Sequence, residues 1–483
     1  MQAVTDFLLP IVQTINAYMS DYILIFLLVG VGLFYTIRTK FVQVRCFGEG
    51  MKKVFGNISL KGGKNKGGLS SFQALATAIA AQVGTGNIVG ACGAILVGGP
   101  GAIFWMWVIA FFGMATIYAE AVLAQETKVV GKDGGVLGGP VYYIRKAFKG
   151  TFGKILAGFF AVAIILALGF MGSMVQSNSI SEAVSGASFG YIQPWMIGLA
   201  LAAICAFIFI GGINRIASVA EKIVPIMAVL YLALGLVVLG FNFTKIPETF
   251  GMIFKYAFVP QAILGGAFGA GIKAAISQGA KRGLFSNEAG MGSTPHAHAQ
   301  ANVKTPHEQG VVAMIGVFID TFIVLTITAL VVISTLYTAG GPLSTPELLA
   351  ANGTITKANM MQTAMGQIFG STAGSILVAV CLTFFAFTTI ISWNFFGKLN
   401  VEYLFGKKAT IVYSILAIAF IFLGSLFPND LVWELADMFN NLMVIPNAIA
   451  LFALSAIVVG AVKVGREKKK AKKTEPEATK EEQ

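Results

Sequence analysis

Long runs of apolar residues, separated by short polar stretches, set the pattern of this chain. A helix needs about 20 apolar residues to cross the hydrocarbon core of a bilayer. Eleven segments meet or approach that length, at about 22–38, 71–98, 101–124, 155–182, 194–213, 217–240, 260–278, 309–336, 373–396, 409–427 and 431–462. No period-two alternation of the kind a barrel requires is present, so each segment has to satisfy its backbone internally as a helix. The pattern predicts an all-α polytopic membrane protein with 11 transmembrane helices.

Composition narrows the reading. Of 483 residues, 56% are hydrophobic and 12% are charged. A soluble domain carries about 25% charged residues, so the chain is too apolar for a soluble or a disordered protein. The net charge of +12 is a topology signal and not a nucleic-acid footprint. With the N-terminus placed outside, about 30 of the 34 Lys and Arg residues fall on the inner side, as cytoplasmic loops require. The expectation is an N-terminus outside, a cytoplasmic C-terminus and a multi-pass protein in the lipid bilayer of the plasma membrane. The first twenty residues carry no Lys or Arg, and no cleaved signal peptide is expected. Cys46, Cys92, Cys205 and Cys381 are scattered, and their spacing predicts neither a disulfide framework nor a zinc site. The loop from Lys61 to Gly68 is rich in glycine and lysine but lacks phosphate-loop spacing. It reads as a flexible cytoplasmic link.

Two apolar runs carry glycine pairs near their centres: Gly84-Thr85-Gly86-Asn87 in the second span, and Gly265 to Gly271 in the seventh. Glycine weakens a helix by about 1 kcal/mol relative to alanine, so each cluster favours an unwound patch. The spans after the first divide into two sets of five, which enter the membrane in opposite orientations. The glycine patches open both sets. Matched breaks in inverted halves point to a transporter binding site. Freed N–H groups suit a carboxylate and freed C=O groups suit a cation. The chain then divides into an extra helix with a basic loop (1–69), a first five-helix set (70–258), a second (259–462) and a disordered cytoplasmic tail (463–483).

Other polar residues within the runs are candidates for the same site. Gln176, in a hydrogen-bonding stretch with Ser177, Asn178 and Ser179, reads as cavity lining. Thr388 and Thr389, followed by Ser392, Trp393 and Asn394, offer hydroxyls to a hard cation and an aromatic wall to an ammonium. Glu120 and Asp437 read as lying near the interfaces, whereas Lys273 and Asp320 lie deeper and are candidates for an ion pair. The stretch Ser286 to His296 reads as a cytoplasmic loop, with Ser286 and Glu288 as candidates to cap a short helix. His296 and His298 have no accompanying Cys or acid cluster, which argues against zinc.

Four segments resemble the alanine or glycine:cation symporter family: Gly84-Thr85-Gly86-Asn87-Ile88, Gly139-Pro140-Val141-Tyr142-Tyr143-Ile144, Gln176-Ser177-Asn178-Ser179-Ile180, and the long run from Gly283 to Ser293. The last is the most specific. The resemblance implies sodium-coupled uptake of a small amino acid, alanine or glycine, and a LeuT-type fold of five plus five inverted helices preceded by one extra helix. It further implies that Thr85, Gly86 and Asn87 hold the substrate carboxylate with help from Gln176. Trp393 and Met174 would bound the side-chain space, and the ammonium would rest near Ala267, Gly269 and Gly271. By fold analogy, sodium would sit among Ala80, Val83, Thr388 and Thr389. A proton-coupled transporter and a passive channel are the competing classes. With all three histidines in or beside one loop, no poised base exists at mid-membrane, and an enzyme is not expected.

Overall fold

The computed structural model describes residues 2–56, 69–131, 134–210, 212–259, 271–345, 348 and 352–474. Ala267 and Gly269 of the expected ammonium site and the loop from Lys61 to Gly68 lie outside them. The structure is mainly helical. Among the described residues seven helices are long and apolar enough to cross a membrane, or eight if one bent pair counts as a single span.

The long helices are α1 (Val4–Arg38), α6 (Ala102–Thr127), α8 (Gly150–Ala187), α10 (Gly212–Phe241), α14 (Pro306–Tyr337), α16 (Ser371–Phe405) and α18 (Asn429–Ala453). The bent pair is α4 (Ser71–Gln82) and α5 (Gly86–Gly98), which meet at 47°. Two shorter apolar helices, α9 (Pro194–Ile210) and α17 (Ala409–Gly424), complete the hydrophobic set. Smaller helices connect them: α2 (Val42–Arg45), α3 (Phe47–Phe55), α7 (Pro140–Ala147), α11 (Ile246–Phe258), α12 (Gly271–Asn287), α13 (Pro295–Ala299) and α15 (Met360–Phe369). A two-stranded antiparallel ribbon, Val129–Val130 with Val136–Leu137, links α6 to α7. The last helix, α19, spans Ser455–Thr474. It therefore continues into the segment expected to be a disordered tail. Its Val458 and Val462 are buried, and a Cβ at Gly465 would meet the His307 ring at 2.3 Å.

The second span breaks where its glycines predict. Ser70 opens α4 with a reciprocal capping box to Gln73, which leaves few orphan donors at that end. The helix then ends at Val83, whose ψ of 87° is not helical. A π-helical turn at Gly86–Gly90 restarts it.

Of the expected break at Gly265–Gly271, residues 265–270 lie outside the described residues. Gly271 opens α12 with φ +48°. The helix then runs unbroken for 17 residues to Asn287, about 24 Å at 1.5 Å per residue. The interruption falls after it, in the stretch read from sequence as a cytoplasmic loop. Glu288, Gly290 and Gly292 have φ of +58°, +96° and +79°, and α13 resumes at Pro295. This turn is buried throughout. Neither Ser286 nor Glu288 caps α13, which has no side-chain cap.

The two broken helices run in opposite directions. Leu69, just before α4, exchanges backbone hydrogen bonds with Gln300 and Asn302, just after α13. At the other end, Gly98 of α5 sits against Ala274 and Ala275 near the start of α12. Midway, a Cβ at Gly86 would meet the Ser286 Cα at 3.0 Å. Lys281 and Arg282 thereby leave the loop that the charge count gave to the inner side. Arg282 lies under the same end of the bundle as the Lys357–Asp430 ion pair, because both cations rest on the Trp433 ring.

Candidate functional site

The site forms where the two breaks meet α8, α14 and α16. At the first break the backbone is held by side chains. Gly84 N–H donates to Asn87 Oδ1 at 3.0 Å, and Thr85 N–H donates to Gln176 Oε1 at 3.1 Å. Each bond occupies a donor that helix interruption releases. Glycine at 84 is a steric requirement, since a Cβ there would stand 2.5 Å from Thr389 Oγ1.

Those bonds fix the orientation of the Gln176 amide. Its oxygen is engaged, and its Nε2 is buried with no partner among the described residues. The Thr85 hydroxyl is likewise fully buried and unpartnered. A buried donor without a partner costs about 1–3 kcal/mol, and two of them lie at this one helix break.

Asn87 ties the first break to α14. Its amide donates to the Asp320 carboxylate at 2.6 Å and to the Asp320 carbonyl at 3.2 Å. Asp320 lies in a π-helical stretch of α14, Phe318–Leu325, a local widening common at functional positions. Its other carboxylate oxygen accepts from the hydroxyls of Ser286 and Thr321, both at 2.8 Å. Asn287 then donates to Thr321 at 3.2 Å. Asp320 thus ties the first break to the end of α12, and these bonds replace the expected pair with Lys273. The Lys273 ammonium lies 5.1 Å from the Tyr22 ring centroid.

A second oxygen cluster lies beside the first. Thr389 Oγ1 is 2.9 Å from the Ala80 carbonyl and 3.0 Å from that of Phe385. Ala80, Phe385 and Thr389 therefore converge from α4 and α16, and Val83 follows at the end of α4. The Thr388 hydroxyl shares the Phe385 carbonyl but otherwise lies against the Phe384 carbonyl and the Met227 sulfur. All these groups are neutral oxygens of the kind a hard cation takes, whereas the Asp320 cluster adds one carboxylate.

The apolar wall also differs from expectation. Trp393 is buried and donates its indole N–H to Glu288 at 2.5 Å, which joins α16 to the second break. Its ring packs edge-on to Phe285 and fills the space beside Gly172, where a Cβ would meet it at 2.5 Å. Gly172 is one turn before Gln176 and shares its face. Met174 is two residues before Gln176, and its backbone lies against Gly424 of α17. Gly271 lies at the far end of α12 and is not brought to the site.

The second break is held by Glu120, which is completely buried within α6. Its two carboxylate oxygens accept from Gly290 N–H at 3.2 Å and Gly292 N–H at 3.0 Å, and Asn447 of α18 donates to it at 2.6 Å. Left-handed residues in close succession turn their N–H groups to one side, forming a nest for an anion. This explains why the run reads Glu-Ala-Gly-Met-Gly. Glycine supplies the left-handed backbone cheaply, while Glu288 carries the strain and is held by Trp393 and Ser293. His296 sits between the Phe160 and Phe396 rings, with hydrogen bonds to Ser293 and Asn400, and His298 bonds Gln309. Both histidines are packing residues. Asp437 is buried. It takes a forked pair of bonds from Arg282, at 3.2 and 2.8 Å.

A profile of the sodium:alanine symporter family matches residues 5–480. The chain belongs to this family. The sodium/alanine symporter AgcS of Methanococcus maripaludis is 41% identical over 461 residues, covering 95% of this chain and 98% of that protein. A Bacillus subtilis protein named "Probable sodium/glutamine symporter GlnT" is 40% identical, covering 96% of this chain and 92% of its own length. Among solved structures, MhsT, crystallised in complex with L-phenylalanine, aligns over 82% of this chain and all of its own, with a TM-score of 0.53 and 14% identity. That likeness establishes a LeuT-like fold. This family member is a multi-pass membrane transporter, not an enzyme, and its class is cation-coupled amino-acid transport.

Proposed function

We propose that the chain imports alanine or glycine with sodium across the plasma membrane by alternating access. In this reading eleven helices cross the bilayer. One precedes two inverted sets of five, α4/α5 is the second span, and α12 with α13 forms the seventh. The N-terminus lies outside and the C-terminus in the cytoplasm.

The observation that carries the substrate assignment is the pair of unpartnered donors, Thr85 Oγ1 and Gln176 Nε2. Together they suit a carboxylate. The ammonium rests at the C-terminal end of α12, where the helix dipole is negative. Trp393 packed against Gly172 limits the substrate side chain to a small group. Sodium is held by one or both oxygen clusters: Ala80, Val83, Phe385 and Thr389, and Asn87, Ser286 and Asp320. The second places a fixed negative charge beside the ion, and its ligands come from both breaks. Ion binding at that position therefore orders the substrate recess. The Arg282–Asp437 pair over Trp433 and Phe285 closes the outer side.

Binding of labelled alanine to purified protein tests the recess. Gln176→Ala is expected to weaken binding at least about tenfold, the loss of one charge-assisted hydrogen bond. Unchanged affinity removes Gln176 from the site.

A further inference from the structure

The three residue types that bind zinc come together at a place remote from the transport site. Cys46 lies between α2 and α3, Glu49 is in the first turn of α3, and His307 is in the first turn of α14. Their ligand atoms, one sulfur, one carboxylate oxygen and one ring nitrogen, all lie within 4.8 Å of one another. Bond lengths of about 2.3 Å to sulfur and 2.0 Å to nitrogen put tetrahedral zinc ligands about 3.3–3.7 Å apart. The cluster needs only side-chain adjustments of about 1 Å to reach that geometry.

The surroundings fit a metal as well as the ligands do. His307 Nε2 faces Glu49 Oε1 at 3.4 Å. Its other nitrogen, Nδ1, lies 2.7 Å from the Tyr118 hydroxyl. Such a second hydrogen bond fixes the ring of a metal-ligating histidine. Cys46 and His307 are buried, while the Glu49 side chain is 23% exposed, which leaves an entry path. Arg45, beside Cys46, donates to the carbonyls of Thr39 and Lys40. Gly465 of the terminal helix closes over the His307 ring.

We propose that Cys46, Glu49 and His307 form a zinc-class metal site with one open position. The site joins the segment after α1, the start of α14 and the terminal helix at one end of the bundle. Three protein ligands with a fourth place for water suit a borderline-soft divalent cation rather than sodium.

The test uses the purified full-length chain, with zinc titrated against a chromogenic chelator and cobalt as a spectroscopic substitute. One zinc per chain is expected, with affinity lowered at least tenfold by Cys46→Ser and by His307→Asn. Cobalt is expected to give a thiolate-to-metal charge-transfer band in the unaltered protein that Cys46→Ser abolishes. Both variants should retain amino-acid uptake, which shows that they fold. Zinc binding no tighter than in the Cys46→Ser/His307→Asn double variant overturns the proposal. So does a cobalt complex of the unaltered protein without the thiolate band, a result that needs no variant.

Discussion

Asn87 donates its side-chain amide to the Asp320 carboxylate across 2.6 Å, joining the first helix break to α14. The other oxygen of the same carboxylate is shared by Ser286 and Thr321. One buried acid thus senses the positions of both broken helices. If a cation binds there, Asp320→Asn removes its only formal charge while keeping an oxygen in place. The expected outcome is a rise of tenfold or more in the sodium concentration for half-maximal uptake, with the protein still folded. An unchanged sodium dependence would make Asp320 a structural tie.

Thr389→Ala tests the neighbouring oxygen cluster. The change deletes a hydroxyl placed between the Ala80 and Phe385 carbonyls. A neutral hydrogen bond contributes about 1 kcal/mol net, so the fold should survive. Sodium-dependence curves should shift to higher concentration. In Thr388→Ala the shift should be absent, because that hydroxyl faces its own helix and Met227.

In the proposed reading, substrate size is limited beside Gly172. A methyl group there would meet the Trp393 ring at 2.5 Å, a distance that forces the indole to move. Gly172→Ala should therefore weaken alanine binding more than glycine binding, measured as a ratio of inhibition constants. Equal effects on the two substrates would place the side-chain pocket elsewhere.

Glu120→Gln probes the support of the second break. The variant replaces a carboxylate that takes two backbone N–H bonds and the Asn447 amide with a group that turns its own donors on one of them. Bonds to charged groups contribute about 1.5–3 kcal/mol each. The expected result is a lower melting temperature in detergent, with a larger loss of uptake than Asn447→Ala produces. A melt identical to the unaltered protein would contradict the anchoring role.

The helices and the first break were legible in the sequence because both rest on local properties: apolar run length, and two glycines around one residue. The second break was not. Hydropathy favoured the apolar glycine run from Gly265 to Gly271 and read Ser286–His296 as a loop, because polar residues normally mark water. Here they are satisfied inside the protein by partners far away in sequence. Glu120 lies 170 positions from Gly290, Trp393 lies 105 from Glu288, and Asn87 lies 233 from Asp320. The specificity of the Ser-Asn-Glu-Ala-Gly-Met-Gly run was visible, but its burial was not. The Cys46–Glu49–His307 cluster was hidden for the same reason, since a count of cysteine spacings cannot register a histidine 261 residues away.

Coupled transport is tested most directly by uptake of labelled alanine into proteoliposomes under an imposed sodium gradient. Saturable accumulation against the alanine gradient, collapsing when sodium is equalised across the membrane, is the expected result. Uptake driven equally well by a proton gradient without sodium, or flux that never saturates, would contradict a sodium-coupled carrier.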